Sequence, residues 1–311
     1  MRVSTAGKPE VSRWHCYLLL AAAVMIYLLI TMGGIVCVTG SGEGCPDWPW
    51  CYGRAVPPAQ VAAVIEYLHR FVAVLALPFI LGAAIVSWRK SRAIWWLSRP
   101  PVMAVLLVLA VSIFGAMAVL RGLPPGLAAV DLGSALLSLA LMSISTVVAF
   151  TLQVNSSLSG RLSGRSTFAR LTFWALGTMF FVLVSSVLVA GKGSLTRCLG
   201  WPMWQSVVVD LPGWPQTVRR LLAGVASVLV ILVTVQAWRT QRQHKAIVSV
   251  TTAAGLLFLL EMTVGILMLA KSTTIFLSVI YMIAAGLLWV AMVVLATLAG
   301  LSSAAIPDNE G

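Results

Sequence analysis

The residues with the clearest chemical potential stand close together: Glu66, His69 and Arg70 in IEYLHRF, preceded by GGIVCVTGSGEGCPDWPWC with Cys45 and Cys51. On a helix Glu66 lies three residues from His69 and four from Arg70, so its carboxylate shares a face with both. A neutral imidazole can ligate a metal or a haem iron, a carboxylate can take up or relay a proton, and a guanidinium can hold a carboxylate or propionate. A plainer arrangement uses the same residues: a Glu66–Arg70 ion pair that steadies the helix end, with His69 bonded to a carbonyl. The E-x-x-H-R spacing lacks the second His of a metalloprotease signature. Counting about 1.5 Å per residue from Pro58, His69 lies on the order of 15 Å along its helix, shielded from bulk water.

The elements that must position these groups are membrane spans. With 60% hydrophobic and 10% charged residues and a mean hydropathy of +0.98, the chain cannot be an ordinary soluble globule. Ionisable groups inside such a span are costly, which makes the cluster a candidate functional site. Apolar runs long enough to cross a hydrocarbon core of about 30 Å are predicted at Trp14–Val38, Val61–Trp88, Val102–Leu120, Leu127–Leu152, Leu171–Ala190, Val218–Trp238, Ala246–Ala270 and Thr274–Leu301. The first is too long for the apolar part of a secretory signal and is expected to be a retained anchor.

Basic residues gather in alternate connections: Arg89, Lys90, Arg92 and Arg99; Arg161, Arg165 and Arg170; Arg239, Arg242 and Lys245. Together with the basic stretch before Trp14 they predict cytoplasmic termini and an integral protein of a prokaryotic plasma membrane. The net charge of +12 is explained by this bias and by anionic lipid, so membrane lipid is the expected partner and nucleic acid is not. The Cys45/Cys51 loop then lies on the outer side, where spacing and the rigid Pro46 and Pro49 favour a disulfide over two free thiols. Cys16 and Cys37 read as small buried hydrophobes and Cys198 as a cysteine without a partner. Gly82, Gly115, Gly177 and Gly265 are expected at close helix approaches, Glu261 is expected to bond to a neighbouring helix, and Trp48, Trp50, Trp88, Trp95, Trp96, Trp201, Trp204 and Trp214 to lie at the membrane interface.

The chain repeats itself. GSGEGCPDWPWC around Cys45 matches GSLTRCLGWPMW around Cys198, with Gly193, Trp201 and Pro202 in the places of Gly40, Trp48 and Pro49. Further on EYLHR faces QTVRR, so His69 faces Arg219, and Asp131 faces Tyr281. The predicted fold is therefore all-α and integral to the membrane, eight transmembrane helices in two tandem four-helix bundles, residues 1–155 and 156–311. Four spans per copy is even, so both copies enter the membrane the same way. Ligands on facing helices can project into each bundle core.

VTGSGEGCPDWPWCYG followed by IEYLHRF resembles the first outer loop and second helix of the haem A synthases, cytochrome oxidase assembly enzymes that oxidise a methyl group of haem O to formyl. The resemblance extends to the eight spans and the tandem repeat. It implies that Glu66 is catalytic, that His69 ligates haem iron, and that Cys45 and Cys51 are the family's loop pair; beside them Arg70 is expected to bind and position the cofactor through its guanidinium. It also implies a haem O-type substrate, haem b or both as the bound group, and haem O synthase or terminal oxidase subunits as protein partners.

The family pattern places a haem-ligating His on the second and fourth helix of each half, and here only His69 stands at such a place. Asp131, Arg219 and Tyr281 occupy the other three. Arg219 cannot ligate iron; Tyr281 could as a phenolate or could simply pack. Asp131 could be a weak second ligand, a partner of His69, or a counter-ion to Arg70 or Arg121. A non-catalytic haem-binding or oxidase-assembly protein with the same fold is the alternative function. A small-molecule transporter is the third.

Overall fold

A computed structural model describes residues 11–155, 160–189, 198, 213–271 and 274–304. Among them are eight helices long and apolar enough to span a membrane: α1 (Arg13–Val38), α2 (Val61–Lys90), α3 (Trp95–Arg121), α4 (Pro125–Val154), α5 (Thr167–Val189), α6 (Gly213–Thr240), α7 (Lys245–Lys271) and α8 (Ile275–Ala304). The eight predicted spans are all present. Gly193, Trp201, Pro202, Trp204, the basic residues before position 11 and the acidic C-terminal stretch lie outside the described residues.

Packing follows the repeat. α1 packs on α2, α2 on α3, α3 on α4, and α4 closes back on α1; α5 to α8 form the same ring. The two rings meet through their first and fourth helices: α4 lies against α5 and α8, and α1 against α8. α4 and α8 are accordingly the most buried spans. The remaining helices turn large apolar side chains outward, among them Leu68, Val74, Leu106, Ile113, Leu221 and Leu256, as lipid contact requires.

Between helices there is no hydrophobic driving force in lipid, so close packing and polar contacts hold the rings together. Trp289 on α8 donates Nε1–H to the Leu136 carbonyl of α4 at 3.2 Å, and Tyr27 on α1 donates to the Ile283 carbonyl of α8 at 3.1 Å. Ser145 on α4 donates to the Trp96 carbonyl on α3 at 2.9 Å. The glycine expectation needs correction: a side chain at Gly115 or Gly177 would meet open space. The closest approaches are instead at Gly34, where a Cβ would run into the Met282 sulfur on α8, and at Gly286, where it would meet Tyr27 at 2.9 Å.

The two ends of the bundle differ in chemistry. At one end Lys90 sits over the Trp14 ring at 5.5 Å, and Arg92 and Arg99 over Trp88 at 5.4 and 5.3 Å, a belt of cation–aromatic contacts where α1, α2 and α3 meet. At the other end lie two disulfides, Cys45–Cys51 and Cys37–Cys198. The first was expected. The second corrects the readings of Cys37 as a buried hydrophobe and Cys198 as unpartnered: it fastens the last turn of α1 to the second half. Cys16 is the free, buried cysteine among the described residues.

Candidate functional site

The first three turns of α2 and the loop before it form one unit. Gln60 is extended and the helix begins at Val61, so Glu66, His69 and Arg70 fall in its opening turns. Glu66 is 5% exposed, and Arg70 donates Nε–H to its Oε1 at 3.1 Å, the predicted i, i+4 pair. The same guanidinium reaches back into the loop. Nη1 donates to the carbonyls of Asp47 at 2.7 Å and Trp50 at 2.6 Å, and Nη2 lies 3.5 Å from the carbonyl of Cys45. Arg70 is thus committed to Glu66 and to three carbonyls within the ring closed by Cys45 and Cys51.

That ring is seated on the helix. Cys45, Cys51 and Ala63 are fully buried together, with Tyr67 packed on them. The Cys45 sulfur lies 3.7 Å from the Ala63 carbonyl, a contact and not a hydrogen bond because a bridged sulfur carries no proton. Gly44 is required by proximity: a Cβ there would enter the Ala62 carbonyl and approach the Ala63 nitrogen to 2.8 Å. Within the ring Asp47 accepts the N–H groups of Tyr52 at 2.7 Å and Gly53 at 2.6 Å. These bonds hold Tyr52 (φ 57) and Gly53 (φ 66) in the left-handed conformation of a two-residue hairpin turn whose ends, Cys51 and Arg54, exchange both backbone bonds at 3.3 Å. The Gly53 N–H above all holds the Asp47 carboxyl below its usual range, against the opposing effect of desolvation and with help from the Tyr52 N–H.

His69 is half-buried, with Nδ1 fully enclosed and bonded to no described residue. Of the plainer sequence reading the Glu66–Arg70 pair is present, while Nδ1 of His69 is bonded to no carbonyl of the described residues. Its edge rests on α1 at Gly33, where a Cβ would stand 3.3 Å from Cε1. Asp131 lies on α4, diagonal to α2 in the ring of helices, and its buried Oδ1 also has no partner among the described residues. The structure thus gathers Glu66, Arg70 and the disulfide ring into one bonded unit. It leaves His69 and Asp131 on opposed helices with unclaimed polar atoms. An imidazole so placed, unbonded and backed by a glycine, is of a kind that could ligate a metal or a haem iron.

The second bundle has its own polar cluster. Arg219, Tyr281 and Glu261 are 6%, 1% and 0% exposed, and Tyr281 lies within electrostatic reach of both charged groups. The expected bond from Glu261 to a neighbouring helix is not seen: both its carboxylate oxygens are buried without a hydrogen-bond partner among the described residues. One turn on, Gly265 faces Tyr281, with 3.6 Å from a would-be Cβ to Cε2. His15, at the far end of α1, is bonded through Nε2 to Ser87 Oγ at 2.8 Å and is a buried structural group.

Comparison with known proteins agrees with this architecture. Residues 16–293 match the family model described as cytochrome oxidase assembly protein. The chain is similar to a haem A synthase of Bacillus licheniformis, 27% identical over 80% of this chain and 83% of the relative. It is likewise similar to haem A synthases of Geobacillus thermodenitrificans, 28% identical over 82% and 81%, and Exiguobacterium sibiricum, 29% identical over 76% of each.

Proposed function

Because the chain belongs to the cytochrome oxidase assembly protein family, we propose that it is a membrane oxidoreductase of haem A biosynthesis, converting a methyl group of a haem O-type substrate to formyl. The observation that carries the proposal is the Glu66–Arg70–loop unit next to an unbonded His69 in one bundle. Bound haem supplies the redox chemistry. The protein's part is to hold, orient and deprotonate. His69 would hold the haem iron. Glu66 takes up a proton released as the methyl is oxidised, and its carboxylate is kept in place by Arg70. Asp131 on α4, whose buried Oδ1 has no partner among the described residues, would accept a hydrogen bond from the substrate. The loop and the apolar walls of the ring exclude water.

The basic connections and the two disulfides lie at opposite ends, which supports cytoplasmic termini and an outer Cys45–Cys51 loop in a prokaryotic plasma membrane. Residues 1–155 form the half with the site, and residues 156–311 the degenerate half. Haem O synthase and terminal oxidase subunits are the protein partners this role calls for.

The test is a visible spectrum of the purified protein with pigment extraction. His69→Ala should abolish or strongly alter the haem spectrum, whereas Tyr281→Phe and Arg219→Leu should leave ligation intact. A normal spectrum in His69→Ala, or one lost in Tyr281→Phe, puts the site in the wrong bundle. A second reading, a haem-binding assembly factor without turnover, is favoured by one observation: of three histidines, His69 alone faces a bundle interior without a bond. It predicts a normal spectrum and no formyl product.

A further inference from the structure

Arg70 joins two things that need not have been joined, a disulfide ring and an intramembrane carboxylate. Its Nε–H goes to Glu66 and its Nη groups to the carbonyls of Cys45, Asp47 and Trp50, all inside the segment that the Cys45–Cys51 bond closes. A planar guanidinium cannot move one edge without the other, so displacement of the ring is displacement of the donor on Glu66. Among the described residues the ring's seat is on α2: Cys45 and Cys51 pack on Ala63 and Tyr67.

We propose that the Cys45–Cys51 ring and Arg70 form a latch that positions Glu66, so that breaking the disulfide is transmitted to the carboxylate. Arg70 is a positioning residue in this scheme. The proposal rests on Glu66 being the proton-accepting group of the site. Reduction is a two-electron exchange with a dithiol: the S–S bond breaks, two S–H bonds form on Cys45 and Cys51, and the dithiol closes to its own disulfide, giving up two protons and two electrons. Both sulfurs are 0% exposed against α2, so a reductant reaches them only after the ring lifts from the helix. The movement that admits the reductant is the one that withdraws the bonds from Arg70.

Linkage makes the proposal testable without turnover. If the closed ring favours the Arg70–Glu66 arrangement, removing Arg70 must make the ring easier to open, by the same coupling. The experiment is a time course of reduction by a dithiol, at concentrations low enough that ring opening equilibrates before each exchange, in lipid nanodiscs, quenched by alkylation and read by mass spectrometry at each disulfide. Arg70→Ala should speed reduction of Cys45–Cys51 by about 5–150-fold, the usual span of such couplings, and Arg70→Lys, with one nitrogen in place of three, should not restore the slow rate. Cys37–Cys198 is the reference within the same molecule, and its rate should stay unchanged. Equal rates at Cys45–Cys51 in wild type and Arg70→Ala, or equal acceleration at both disulfides, overturns the latch.

The consequence for the site is read separately. The infrared carboxylate band assigned by its loss in Glu66→Gln should shift when the ring is reduced in wild type, and should be the same in both redox states of Arg70→Ala. A band indifferent to reduction in wild type also overturns the latch. Full haem oxidation by Glu66→Gln would instead overturn the role given to Glu66 and leave the reduction kinetics to decide the latch on their own.

Discussion

Gly33 and Gly34 are neighbours on α1 that face different halves, and replacing each by Ala separates the site from the scaffold. A methyl at position 33 would stand 3.3 Å from Cε1 of His69, 3.8 Å from Nε2 and 3.9 Å from Nδ1. The ring need yield only a few tenths of an ångström. Mild overpacking of this kind costs about 1 kcal/mol, and Gly→Ala within a helix returns about 0.8–1.0 kcal/mol, so stability should barely change. A methyl at position 34 collides with the Met282 sulfur and lies 2.8 Å from Cε and 3.0 Å from Cγ, so the whole end of that side chain must be displaced between the halves. With overpacking at the upper end, about 3 kcal/mol, and the same helical gain, the net loss is about 2 kcal/mol. Thermal unfolding and the visible spectrum of the purified variants read the two effects. Gly33→Ala should keep the wild-type Tm and change the haem spectrum; Gly34→Ala should lower Tm and leave the spectrum as it was. The reasoning is refuted if Gly33→Ala is the more destabilising, or if the spectral change appears in Gly34→Ala alone.

Gly44→Ala should lift the loop from α2, because the added carbon meets backbone atoms of Ala62 and Ala63 that cannot rotate away; hydrogen exchange over residues 45–54 should rise, and unchanged protection would contradict the packing. Asp47 has a folded pKa below its unfolded value of 3.8, so its stabilisation of the turn is fully present above that value and is lost as pH falls through the lower, folded one. Protection of the Tyr52 and Gly53 amides should therefore fall in that acid window in wild type and show no such step in Asp47→Asn. Alkylation of the unfolded protein should modify one cysteine, Cys16, before reduction and all five after it; three before reduction would remove the Cys37–Cys198 bridge.

Much of this was legible in the sequence because it is written in short-range terms. The eight spans follow from apolar length, the two rings from the repeat, and the Glu66–Arg70 pair from helical spacing. The Cys45–Cys51 bridge spans six residues and needs only a turn. The Cys37–Cys198 bridge was hidden for the opposite reason: its partners are 161 residues apart, and their meeting depends on how α1 docks against the second half. Arg70 misled in its direction. Its spacing to Glu66 is visible along the helix, but the bonds to loop carbonyls 20 to 25 residues back depend on the loop folding down onto α2. The same holds for Gly44, whose need shows only when the backbone it touches is in place. The surroundings of Glu261 were not legible because Tyr281, the group within its electrostatic reach, comes from another helix of the second ring.

The central claim is that Glu66 serves proton transfer during oxidation of a haem methyl bound at His69. The most direct measurement is mass spectrometry of haem extracted from wild type and Glu66→Gln after supply of haem O. Wild type should yield the formyl product, and Glu66→Gln should retain bound haem O with the formyl product reduced about 10²-fold or more, as loss of a positioned base implies. Formyl haem at the wild-type level from Glu66→Gln, or bound haem without formyl product from wild type, would contradict the claim.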